Sequence, residues 1–171
     1  NIEADSLYAG IMIDTNNFLT KTGVRTFEAA AFLRRCGADV TRVRKMFREH
    51  VEDYRAKGEA IRNAELFREH FAISVCPSEG LDSPTVVGAQ AANELLNIIG
   101  VKASFVLTDY RNTIYISARS IDEINVQIVM ERLGGGGHLN IAGAQLEHYS
   151  ITEAKDVLKQ TLQKMLDEGD I

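Results

Sequence analysis

The 171 residues are 45% hydrophobic and 25% charged, an ordinary globular composition that excludes disordered, collagen-like and coiled-coil chains. A chain of this length buries roughly 68 to 70% of its unfolded surface on folding, enough for a core without staples. Nineteen basic against twenty-four acidic residues give a net charge of −5, the wrong sign for a protein that coats bulk nucleic acid, so local groups must hold any anionic ligand.

The near-continuous apolar run Leu7 to Ile13 is far short of the roughly 18 residues of a membrane helix, and no signal-peptide pattern accompanies it. The chain opens at Asn1 without methionine and enters that run almost at once, which reads as a piece of something longer. Thr26 then caps a predicted helix over Phe27 to Leu33 that stops at Gly37, and Thr41 can cap the next. From Val43 to Phe67 a thin apolar stripe with i,i+4 pairs such as Arg48 with Glu52 reads as one solvated bridging helix. Cys36 and Cys76 lie in apolar runs, which predicts two buried free thiols in a reducing compartment.

From Phe71 the pattern alternates. Phe71 to Cys76 reads as a short strand, and Ser83 with Pro84 starts a helix that ends at Gly100. Ser104 to Asp109 and Thr113 to Ala118 form a predicted hairpin about Tyr110, Arg111 and Asn112. A helix over Asn125 to Leu133 meets a glycine run, a strand follows around Ala144 to Glu147, and Ser150 with Glu153 makes a capping box for the last helix. That helix carries the stripe Ile151, Ala154, Leu158, Leu162 and Met165.

Three features could carry chemistry. In Gly134, Gly135, Gly136, Gly137 and His138, a helix C-cap explains one glycine and leaves three. Bare backbone lets main-chain N–H groups converge on an anion, with His138 as an added donor; a flexible loop with a surface histidine is the other reading. On the second hairpin strand Tyr115, Ser117 and Arg119 point one way, and Ile114, Ile116 and Ala118 point to the core. Ser117 and a partly exposed Arg119 thus offer a hydroxyl and a guanidinium fork to a phosphate oxygen or purine edge, although an arginine at a strand end can equally serve a surface ion pair. Asp14 ends the run Leu7 to Ile13, a carboxylate at the rim of a buried element, or simply a turn aspartate.

These residues match a known pattern. Ala9 to Phe18, Ala-Gly-Ile-Met-Ile-Asp-Thr-Asn-Asn-Phe, resembles the last motif of the DHH phosphoesterases, and Gly134 to His138 resembles the glycine-histidine motif of their DHH-associated C-terminal domain. Gly23 to Asp39 and Ser117 to Gly143 are similar to the membrane-bound cyclic-di-AMP phosphodiesterases of the GdpP type. The resemblance implies an α/β chain: residues 1–40 as the helical end of a DHH catalytic domain, 41–68 as a linker helix, and 69–171 as a DHH-associated substrate-binding domain with a mixed sheet of about four strands. It implies two manganese ions in the intact enzyme, with Asp14 one ligand and the rest of the centre outside these residues. It also implies a cyclic dinucleotide substrate cleaved to linear pApA, a homodimer, and a parent anchored in the membrane by upstream helices and facing the cytoplasm. Ser117, Arg119, Gly134, Gly135, Gly136, Gly137 and His138 would bind the nucleotide, the fragment itself without turnover. A nanoRNA-type oligoribonuclease, or a non-catalytic nucleotide-binding or dimerisation module, is the alternative.

Overall fold

The computed structural model, which describes every residue but Asp122, separates into the units Asn1–Glu49 and His50–Ile171. The first holds three helices, α1 (Ile2–Asp14), α2 (Val24–Arg35) and α3 (Val40–Met46). Its core is small, Ala4, Leu33 and Ala38 with Tyr8 and Ile11 packed against them. A buried carboxylate does much of the remaining joining. Asp5 on α1 accepts from the Asp39 N–H at 2.7 Å and from Arg42 Nε at 2.7 Å and Nη2 at 3.2 Å, tying α1 to the start of α3.

Several local expectations are corrected here. The N-cap of α2 is Gly23, and Thr26 lies inside the helix, its hydroxyl accepting from the Gly23 N–H. Asp39 caps α3 by accepting from the N–H groups of Thr41 and Arg42, because a carboxylate two residues earlier outcompetes the threonine. Leu7 and Ile13 are exposed, so Asp14 does not stand at the rim of a buried element. Cys36 is exposed at the C-cap of α2, where the chain turns through Gly37; only Cys76 is buried.

The expected bridging helix is interrupted. Helix α3 stops at Met46, α4 covers Val51–Arg62, and a short strand β1 (Glu65–Phe67) follows. Then come β2 (Phe71–Cys76), α5 (Pro84–Leu95), the hairpin β3 (Ala103–Tyr110) and β4 (Thr113–Ser120), α6 (Val126–Arg132), β5 (Gly136–His138), β6 (Ile141–Glu147) and α7 (Ile151–Glu168). The hairpin turns through Arg111 and Asn112, both with positive φ (53° and 61°), the conformation whose twist matches that of the flanking strands.

The α/β class holds, but the mixed sheet has six strands rather than about four, in the order β1-β2-β3-β4-β6-β5. The two extra strands are three residues each at the sheet edges, too short to show an alternating pattern. Only β2 and β3 run parallel, joined through α5; every other pairing is antiparallel.

Side-chain alternation sends the sheet's residues into two cores. Phe71, Ile73, Phe105, Leu107, Ile114 and Ile116 meet α6 and α7, including the predicted stripe Ala154, Leu158, Leu162 and Met165. Ala72, Cys76 and Val106 meet α4 and α5 through Ala56, Ala60, Val87, Ala91 and Leu95. Burial of this kind is worth roughly 1.5 to 3 kcal/mol for each large side chain. Two serines close the second interface: Ser74 Oγ donates to the Ala60 carbonyl and Ser104 Oγ to the Ala92 carbonyl, each at 2.5 Å. Burial in that core also pushes the Cys76 thiol up to about 11, which leaves it protonated and inert.

Candidate functional site

Helices α4 and α5 cover their face of the sheet only as far as β4. Strand β3 is accordingly buried on both sides, whereas β4 alternates half-buried and buried residues along its whole length. Beside the first turn of α5 the uncovered face forms a recess of about 500 Å³, lined by Thr85, Tyr115, Ile116, Ser117, Gly134, Gly135, Gly136, Gly143, Ala144 and Gln145. Register explains why these residues meet. Ser117 is opposite Gly143, and Gly143 is opposite Gly136, so the three form one row across β4, β6 and β5. Arg119, Ile141 and His138 form the next row on the same face.

The four glycines have different reasons. Gly134 follows α6 with φ +78°, the left-handed conformation of a helix end. A β-carbon on Gly135 would come within 2.1 Å of the Gly143 carbonyl oxygen, and one on Gly137 within 2.5 Å of the Ala142 Cα and the Ile141 carbonyl oxygen. Both are therefore required by the approach of β5 to β6. Gly136 has no such reason: its φ is not positive and a β-carbon there would meet nothing within 4 Å. The empty space beside it is the recess. Strand packing thus gives Gly135 and Gly137 a structural reason that the sequence did not show, and leaves Gly136 as the one glycine of the run with neither a cap nor a close approach to explain it.

Ser117 lines the recess together with Gly134, Gly135 and Gly136, while Arg119, Gly137 and His138 lie off its lining. His138 is exposed. Arg119 is half-buried; its Nε donates to Asn93 Oδ1 at 3.1 Å and its Nη1 to the Ala118 carbonyl at 2.8 Å. Burial, with no carboxylate among the described residues to pair with it, holds the guanidinium below its ordinary pKa, although arginine stays charged at neutral pH. Sequence reasoning placed Tyr115 on the correct face without assigning it to the site, and missed Thr85, Gly143 and Gln145. Gly143 carried a signal, a glycine inside a strand where another group approaches closely; a β-carbon there would meet the Ile116 carbonyl oxygen at 2.9 Å. Nothing in the sequence marks Thr85, which reaches the recess only through the packing of α5.

The DHHA1 domain family matches residues 70–165, more than half of the chain and all of the recess. The chain belongs to the DHHA1 domain family. The cyclic-di-AMP phosphodiesterases PdeA of Listeria monocytogenes and GdpP of Bacillus subtilis are each 42% identical to it, over 92% and 98% of this chain and 24% and 26% of theirs. It therefore spans about a quarter of the length of these relatives. An exopolyphosphatase-related protein from Bacteroides fragilis shares the fold, with a TM-score of 0.84 over 95% of this chain and 50% of that one at 24% identity. The family resemblance read from the two motifs is borne out.

Outside the DHHA1 match, Asp14 is the last residue of α1 and is exposed. The motif around it is a built turn: Thr15 Oγ1 donates to the Ile11 carbonyl and accepts from the Phe18 N–H, and Asn16, Asn17 and Phe18 all have positive φ. Among the described residues no group of three His, Cys, Asp or Glu side chains could hold a metal ion. A single exposed carboxylate does not complete a two-metal centre, so the described residues do not assemble one themselves. No described helix is long and apolar enough to cross a membrane.

Proposed function

We propose that the recess of this DHHA1 domain binds a nucleotide, and that the chain is the C-terminal, nucleotide-recognising part of a phosphodiesterase that opens cyclic-di-AMP to linear pApA. Gly136 carries the reading. It is the one glycine of the run that neither a positive φ nor strand packing requires, and it faces the open recess beside Ser117. Leaving that wall without a side chain allows a planar base or a phosphate to approach the backbone directly. The Ser117 hydroxyl offers one donor there, and Arg119, one row along, supplies the positive charge that a net charge of −5 withholds elsewhere. Similarity to PdeA and GdpP over nearly the whole chain supports cyclic-di-AMP as the ligand.

The division of labour follows from the residues. This unit holds and orients the dinucleotide, which lowers the entropic part of the barrier. Bond cleavage belongs to a centre whose two manganese ions are held mainly by groups outside these 171 residues, with Asp14 adding one carboxylate. The parent is a homodimer anchored in the membrane and facing the cytoplasm. Alone, the chain binds without turnover.

Calorimetric titration of the 171-residue chain with cyclic-di-AMP tests the binding, and incubation with excess manganese tests the division of labour. Saturable binding with no release of pApA is expected, and substantial hydrolysis would contradict it. A full-length parent that spares cyclic-di-AMP while degrading short oligoribonucleotides would replace the substrate assignment with an oligoribonuclease. Absence of nucleotide binding would leave a dimerisation module.

A further inference from the structure

Asn93 stands in the third turn of α5, a place where asparagine is a poor helix former and alanine would serve better. Its side chain has a definite partner. Oδ1 accepts the Arg119 Nε–H at 3.1 Å, across from α5 to β4. Thr85 and Asn93 are eight residues apart on one stripe of α5, and Ser117 and Arg119 are two apart on one face of β4. The first member of each pair lines the recess, and the second members bond to each other.

Arg119 has five N–H groups, and among the described residues two of them are engaged, by Asn93 Oδ1 and the Ala118 carbonyl. Both bonds lie toward Nε and Nη1, so Nη2 keeps its two hydrogens. A half-buried guanidinium with no carboxylate partner among the described residues keeps donors for a solute anion. A freely rotating arginine would lose side-chain entropy on meeting that anion; one already held by Nε loses less.

Resting on the reading of the recess as a nucleotide site, we propose that Asn93 is a positioning residue: its amide oxygen fixes the Arg119 guanidinium so that the remaining N–H groups face an anionic group of the bound nucleotide. Asn93 acts only through Arg119, which gives the proposal a specific signature. Asn93→Ala improves helix propensity and should fold like the wild-type chain in thermal melts. In calorimetric titration with cyclic-di-AMP it should bind about tenfold more weakly, the loss expected for one charge-assisted bond. Arg119→Ala should lose at least as much, and the double variant should bind no more weakly than Arg119→Ala alone, because the two residues form one unit. The salt dependence of binding should flatten in Asn93→Ala toward that of Arg119→Ala, which a purely structural asparagine would not produce. Wild-type affinity in Asn93→Ala, or losses that multiply in the double variant, would overturn the positioning role while leaving the recess intact. Failure of the wild-type chain to bind cyclic-di-AMP would overturn the recess reading and this role together.

Discussion

Strands β3 and β4 are neighbours in one hairpin, yet they meet different surroundings. Phe105, Val106 and Leu107 on β3 are each 0% exposed, with helices on both faces. On β4 only the even-numbered side chains reach a core, and Tyr115, Ser117 and Arg119 are left half-buried on a face that α5 does not finish covering. The glycine run repeats the contrast one residue at a time, since Gly135 and Gly137 are pressed against β6 and Gly136 looks into open space. Where a covered position constrains its residue, packing explains it; the glycine at the open position is the one we propose is kept for a ligand.

The contrast can be pressed first where the effect is largest. Phe105→Ala should cost about 3 to 5 kcal/mol in urea unfolding, whereas Tyr115→Ala on the open face should cost much less and mainly weaken nucleotide binding. Comparable losses at the two positions would erase the distinction between the faces. Next, Gly135→Ala and Gly137→Ala should each destabilise by roughly 1 to 3 kcal/mol, because backbone rather than a flexible side chain stands in the way. Thermal melts unchanged from wild type would show that β5 can move off β6.

The smallest expected effect contrasts the two units. The Arg42 guanidinium and the Asp39 N–H beside Asp5 hold its carboxyl below the usual carboxylate range, and Asp39 is lowered by the N–H of Arg42 in the same way. A lowered folded-state value means that the carboxylate contributes stability above the ordinary unfolded value of about 3.9, and that this is lost as pH falls through the lower folded value. Asp5→Asn should therefore be less stable than wild type at neutral pH, with the gap narrowing below about pH 4. A gap independent of pH would show that Asp5 acts by packing alone.

Much of the second unit was legible in sequence because its patterns are local. The hairpin alternates over Thr113 to Ala118, and the last helix announces itself through the Ser150 and Glu153 capping box, whose two reciprocal bonds are present. Interruption of the bridging helix was not legible, since Phe47 to His50 contains neither proline nor glycine to mark it. Strand β6 begins three residues earlier than its pattern suggested, because Ile141, Ala142 and Gly143 lack strong strand formers after the first residue. At the site the sequence could point to a glycine run and a serine-arginine face, but not to which glycine was free. That depends on how closely β5 approaches β6, a tertiary distance with no local signature.

The most direct test is a graded series at Gly136, wild type, alanine and valine, titrated with cyclic-di-AMP and melted in parallel. A β-carbon there meets nothing within 4 Å, so the stability of the alanine variant should stay within about 0.5 kcal/mol of wild type, as for surface positions generally. Affinity should fall stepwise, by about tenfold for alanine and further for valine, as the recess fills. Undiminished affinity in both variants with folding intact would contradict the account and return Gly136 to an unexplained feature of a flexible edge.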